Sequence, residues 1–306
     1  MAQTPAWHTI SVRTPAGDFD VFTAGDGPPL CVTHDYSAFN ETGDHFAAAF
    51  VPYRTVYLVN LRGAGRSPAG RAPDDLSMVT AVQDLEAIRE SLGFPQWDFA
   101  GHSTGGMLGL SYAVLQASSL SALVVVGAAA SRDYNRHPDC IYHPQHPAFS
   151  KMQALIEGLK SPDLDAAERL RMTRERTQLS LYQPELYPRY FDGRVHKQMA
   201  ASRLDYFSRH DYPTFDLRAE LGDVAVPTLV VGGRHDVQCP YWCSQEIGDL
   251  MPAAQVVEFT ESNHYPFLEE PDKFQAIVSE FLNSPPRLNA ESGASARRGV
   301  VPGIVN

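Results

Sequence analysis

The sequence predicts an α/β fold, a mostly parallel central sheet flanked by helices, carrying an inserted helical cap. Three observations predict it. Short, continuous apolar runs alternate with helical patterns from residue 30 to 130, as parallel strands buried on both faces do. The same alternation resumes at 227–259 and closes with a helix over 272–282. Between them, 131–215 has no such runs and is rich in Tyr, His, Arg and Pro. The expected division is therefore a core over 1–130 and 216–283, a cap over 131–215, and a mobile tail over 284–306, which lacks periodicity.

In chain order, 7–12 and 20–23 read as strands of a hairpin joined by the turn residues Pro15-Ala16-Gly17-Asp18. Residues 30–33 form a buried strand ending at His34-Asp35-Tyr36-Ser37, followed by a short helix over 41–50 and a second buried strand over 55–59. The glycine-rich turn Asn60-Leu61-Arg62-Gly63-Ala64-Gly65 lacks the third glycine and the lysine of a phosphate loop. Residues 77–92 make an amphipathic helix with Met78, Val82, Leu85, Ile88 and Leu92 on one face, stopped by Gly93 and Pro95. Strands follow over 97–100 and 122–126, with an apolar helix over 107–115 between them. Within the cap, helices are expected over 149–160, 165–178 and 196–207; strands over 227–232 and 255–259 then complete the sheet.

The chemistry concentrates at Gly101-His102-Ser103-Thr104-Gly105, where a strand turns sharply into a helix at a serine. Small residues permit the strained turn, so the Ser103 hydroxyl stands above a helix N-terminus. A serine needs a base, and the base needs an orienting carboxylate. His264 follows the strand over 255–259 and Asp236 follows the strand over 227–232, so both fall at the C-terminal rim of the sheet. The order Ser103, Asp236, His264 is the one an elbow-type sheet requires. The two oxyanion donors are expected from the backbone of Thr104, at the helix start, and of Tyr36, in the turn after 30–33.

Composition excludes several classes. The chain has 306 residues, 43% hydrophobic and 20% charged, with no apolar run long enough for a bilayer. A net charge of -11 disfavours nucleic acid. Four cysteines are too few for a disulfide scaffold, and the start lacks a basic and apolar leader, so a cytoplasmic protein without membrane association is expected.

The His34-Asp35-Tyr36 turn, the Asn60 to Ser67 turn, the serine elbow and the settings of Asp236 and His264 together resemble the α/β-hydrolase superfamily over about residues 8 to 283. The Gly101-His102-Ser103-Thr104-Gly105-Gly106 run and the helical insertion look like its proline iminopeptidase branch. That resemblance implies cleavage of an N-terminal residue from small peptides through an acyl-enzyme, without metal or other cofactor. The chain departs from the branch at the oxyanion turn, where His-Gly-Gly-Pro-Gly is usual and His34-Asp35-Tyr36-Ser37-Ala38 stands here, and at Asn60, where Asp is common.

An aminopeptidase must hold a free ammonium, and Glu157, Glu175, Glu185, Asp192 and Asp205 are the available cap carboxylates. A pocket lined by Tyr182, Tyr187, Tyr206 and their aromatic neighbours, with Glu185 among the candidates, suits an apolar ester, amide or lactone equally well. His137, Cys140, His143 and His146 have ligand-like spacing, but His-Pro steps make the segment extended and no metal is assigned. The expected partner is a small molecule or short peptide. A hydrolase-like binding protein without catalysis is the alternative class, and the complete triad argues against it.

Overall fold

The computed structural model describes residues 5–161, 163–191 and 193–283; the expected tail, 284–306, and Asp192 lie outside the described residues. The strands are β1 (His8–Thr14), β2 (Gly17–Ala24), β3 (Pro29–Val32), β4 (Ser37–Ala38), β5 (Thr55–Val59), β6 (Trp97–His102), β7 (Leu120–Val126), β8 (Gln198–Met199), β9 (Thr228–Gly233) and β10 (Ala254–Phe259). Eight form one sheet in the order β1-β2-β5-β3-β6-β7-β9-β10. From β5 to β10 every pairing is parallel, and the β1–β2 hairpin adds antiparallel strands at one edge.

Successive residues of the central strands serve opposite faces, which is why their sequences are apolar without alternation. Cys31, Leu123, Val125 and Val230 join the core under the helices Met78–Ser91, Thr104–Gln116 and Tyr241–Leu250. Leu30, Val32, Val124, Val126, Leu229 and Val231 join the opposite core with Phe46, Phe274 and Val278.

Three elements differ from expectation. Gly17 and Asp18 pair with Thr14 and Arg13 in the ladder, leaving a two-residue connection, Pro15-Ala16. The helix expected over 41–50 contracts to His45–Ala48, because the Asp44 side chain caps it by accepting from the Phe46 and Ala47 amides. The helix expected over 196–207 keeps only Ala201–Tyr206, since Gln198 and Met199 pair with Ala38 and Ser37 as an antiparallel ribbon. Tertiary pairing there outweighs helical periodicity.

The chain leaves the sheet after β7 and returns before β9 at a staple. Ser131 and Asp216 form an antiparallel bridge, the Arg132 amide donates to Phe215 O at 2.8 Å, and the Leu217 amide donates to Ala130 O at 2.9 Å. Among the described residues no helix is long and apolar enough to cross a membrane.

Candidate active site

Ser103 stands between β6 and the helix Thr104–Gln116 with φ 57° and ψ -125°, and among the described residues it is the one non-glycine with positive φ. The conformation is costly for a residue with a Cβ and persists because its surroundings enforce it. A Cβ on Gly101 would lie 2.0 Å from the Gly105 carbonyl oxygen, so the elbow closes only with glycine there. The Ser103 amide donates to Val126 O at 2.9 Å, tying the serine to the end of β7.

Asp236 follows β9, and His264 follows β10 after a short loop. His264 Nδ1 donates to Asp236 Oδ2 at 2.8 Å, with the side chains 2% and 0% exposed. The other carboxylate oxygen accepts from the Gln238 and Cys239 amides at 2.8 and 2.9 Å, which fixes the carboxylate's orientation. His102 Nε2 donates to His264 O at 2.7 Å, and the two imidazoles lie 4.6 Å apart.

Gly127, the residue after β7, completes the corner: a Cβ on it would lie 3.2 Å from both Asp236 Oδ2 and His264 Nδ1. The structure thus brings Ser103, Asp236 and His264 to one rim of the sheet. Of the two side-chain hydrogen bonds of a serine relay, it forms the acid–base one.

The turn after β3 supplies the facing wall. His34 shares a 3.0 Å hydrogen bond with the Thr104 hydroxyl through Nε2, and its Nδ1 accepts from the Tyr36 amide at 3.4 Å. That second bond is long. Burial, reinforced by the Lys197 charge, pushes the His34 pKa down to about 3, so the ring is neutral.

The four residues expected to line a substrate pocket do not gather there. Tyr182 is 39% exposed and stacks on His235. Tyr206 donates to Asp74 Oδ1 at 3.0 Å and stacks on His210. Glu185 is exposed in the 3-10 turn Pro184–Leu186. Tyr187 is half-buried and touches the site only at second hand, through Phe191, which packs on Tyr265 beside His264. Aromatic composition signalled a surface to cover but not which rings would cover the site. His137, Cys140, His143 and His146 do not converge either: each imidazole accepts through Nδ1 from the amide two residues on, and Cys140 Sγ donates to Gln238 O.

One residue escaped the sequence reading altogether. Arg203, fully buried on the helix Ala201–Tyr206, donates to Asp35 Oδ1 at 2.6 Å, to Asp35 O, and to Arg62 O at 3.0 Å. Asp35 is 168 positions away, so no local pattern could have paired them.

The profile of the alpha/beta hydrolase fold matches residues 35–271. The chain belongs to the α/β-hydrolase fold family. Within this family, a solved alpha/beta fold family hydrolase from Bacillus anthracis is similar at 41% identity and a TM-score of 0.88, covering 90% of this chain and 99% of that one. The putative carbamate hydrolase RutD of Pseudomonas savastanoi is 27% identical over 267 residues, 85% of this chain and 95% of that protein. The proline iminopeptidase of Chitinophaga pinensis is 23% identical over 313 residues, covering 89% and 97%. The superfamily resemblance therefore holds, while the narrower iminopeptidase likeness is the more distant of these two curated relatives.

Proposed function

We propose that the chain is a serine hydrolase that cleaves a small ester, amide or carbamate through an acyl-enzyme. The observation that carries this is the buried Asp236–His264 hydrogen bond beside a serine held at positive φ. Ser103 attacks the carbonyl; His264 takes its proton and returns it to the leaving group. Asp236 fixes the tautomer and stabilises the imidazolium. The amides of Thr104 and Tyr36 receive the oxyanion, and 131–215 covers the site as a cap. The mechanism uses no metal or cofactor.

The likeness to a putative carbamate hydrolase favours a small acyl or carbamoyl substrate. Iminopeptidase-like cleavage is the narrower alternative, and it needs a carboxylate for the substrate ammonium. Glu157 pairs with Lys160, Glu175 with Arg171 and Asp205 with Arg209, all at the surface, and Glu185 is exposed.

An alkyl fluorophosphonate should label the wild-type protein and leave Ser103→Ala unlabelled. On aryl esters, aryl carbamates and prolyl-arylamides, kcat/KM should be highest for the esters or carbamates. A preference for free-amine prolyl-arylamide over its N-blocked form would restore the peptidase assignment, and wild type that takes no label would remove the serine from the mechanism.

A further inference from the structure

The hydrogen bonds of the acid–base pair close into a ring through the inserted segment. His264 Nδ1 donates to Asp236 Oδ2 at 2.8 Å, and Asp236 Oδ1 accepts from the Gln238 amide at 2.8 Å. The Gln238 side chain donates through Nε2 to Ser180 Oγ at 3.0 Å, and Ser180 O accepts from the His264 amide at 3.3 Å. Asp236, Gln238 and His264 belong to the loops after β9 and β10. Ser180, fully buried, comes instead from the insertion, just beyond the helix Ala166–Gln178.

Gln238 uses every polar group it has at this joint. Its amide holds the acid. Its carbonyl accepts from Cys140 Sγ at 3.2 Å, its Oε1 accepts from the Tyr142 hydroxyl at 2.7 Å, and its Nε2 reaches Ser180. The insertion therefore grips Gln238 from two separate segments, and the Ile141 amide adds a 2.6 Å bond to Val237 O beside it. The core also ties the two loops directly, through the Val237 amide to Asn263 Oδ1 at 3.1 Å and the His235 amide to Ser262 O at 3.0 Å. Neither of those bonds ends on Asp236 or His264.

A general base must be held to a fraction of an ångström and within a few tens of degrees, and a chain of satisfied hydrogen bonds supplies that stiffness. We propose that Gln238 and Ser180 are positioning residues. The insertion completes the frame that holds the His264 imidazole against Asp236, and so governs the rate of attack by Ser103 rather than the affinity for what binds there. The inference rests on the serine-hydrolase reading above.

The test follows fluorophosphonate labelling of the full chain over a range of probe concentrations, which separates the limiting rate from the half-saturating concentration. It compares wild type with Gln238→Met, Ser180→Ala and the double variant, each beside a thermal melt. Gln238→Met keeps the side chain's length and the backbone amide; Ser180→Ala removes one oxygen and keeps the carbonyl, the gentler change if the first variant does not fold. Each single variant should lower the limiting rate about tenfold while the half-saturating concentration stays within about twofold of wild type. The double variant should be no slower than the slower single one, because both changes break the same link. A limiting rate within about twofold of wild type in the single variants overturns the positioning role. So do losses that multiply in the double variant, or that appear in the half-saturating concentration or only as unfolded protein. In each of those cases the labelling of wild type still upholds the serine. If wild type takes no label, both readings fall.

Discussion

Arg203 Nη2 lies 2.6 Å from Asp35 Oδ1, in an ion pair whose side chains are 0% and 1% exposed, and the pair joins the inserted segment to the turn that carries Tyr36. The second carboxylate oxygen, Asp35 Oδ2, is buried without a partner, so Arg203 alone compensates the charge. Burial pushes the Asp35 carboxyl up and the Arg203 charge pulls it back. The ribbon of β4 and β8 and the 2.9 Å bond from the Ala200 amide to Tyr36 O fasten the same turn.

Arg203→Met would strand that carboxylate together with the carbonyls of Asp35 and Arg62. Breaking one side of a buried pair costs about 3–5 kcal/mol, which urea denaturation would read directly. Arg203→Met combined with Asp35→Asn should recover part of the loss, since no buried charge remains. An Arg203→Met protein as stable as wild type would show that the pair holds nothing.

Gly127 is the spacer that faces both members of the acid–base pair. Its φ is +54°, and a Cβ there would press on both Asp236 Oδ2 and His264 Nδ1 at 3.2 Å. Gly127→Ala should cost about 1–2 kcal/mol from the left-handed backbone. By displacing the imidazole it should also lower kcat by about a hundredfold, more than its effect on KM. Steady-state kinetics beside a thermal melt checks both, and an unchanged kcat would mean that the corner has slack.

The parts of this protein that could be read in its sequence are those written locally. The sheet strands are apolar runs because both faces are covered, and the Ser103 elbow is marked by a glycine that backbone contact requires. The meeting of Asp236 with His264 is legible because each follows a strand, and strand ends share a rim. The insertion was legible only as an absence of strands. Its role depends on contacts such as Arg203 with Asp35 and Ser180 with His264, which join distant positions and leave no periodic trace. For the same reason Tyr182, Tyr206 and Glu185 were expected in a pocket: the sequence shows that aromatic and acidic groups are present, and only the packing of short helices decides which way they face.

Asp236→Asn preserves shape and removes charge. The amide oxygen can still accept from the Gln238 and Cys239 amides, so folding should be little affected, but the imidazole loses both its anionic partner and its enforced tautomer. Turnover should fall by about four orders of magnitude, with melting temperature near that of wild type. Turnover within a few-fold of wild type would remove Asp236 from the mechanism.

Acid stability follows from two imidazoles held neutral around the site. The His34 pKa is pushed down to about 3 by burial and then by Lys197; that of His102 is held well below its ordinary 6.5 by burial and then by His264. The hydrogen bonds agree: His34 Nδ1 accepts from the Tyr36 amide, and His102 donates one proton to a carbonyl. When the chain unfolds below pH 6.5, both rings take up protons that the folded state refuses, so the unfolded state binds more protons and gains stability. Their contribution is complete above pH 6.5 and is lost as pH falls below it, by at most about 1.4 kcal/mol per pH unit for each ring. Asp211 runs the other way. Burial, and then the nearby Asp35 carboxylate, pushes it up to about 6 from 3.8, so between those values the folded state holds the extra proton and this term strengthens as pH falls. Urea midpoints from pH 8 to 4.5 should therefore decline on the acid side, less steeply in His34→Gln or His102→Gln and more steeply in Asp211→Asn. A wild-type midpoint that stays level down to pH 5, with no change of slope in the histidine variants, would mean that these rings are not kept neutral in the folded protein.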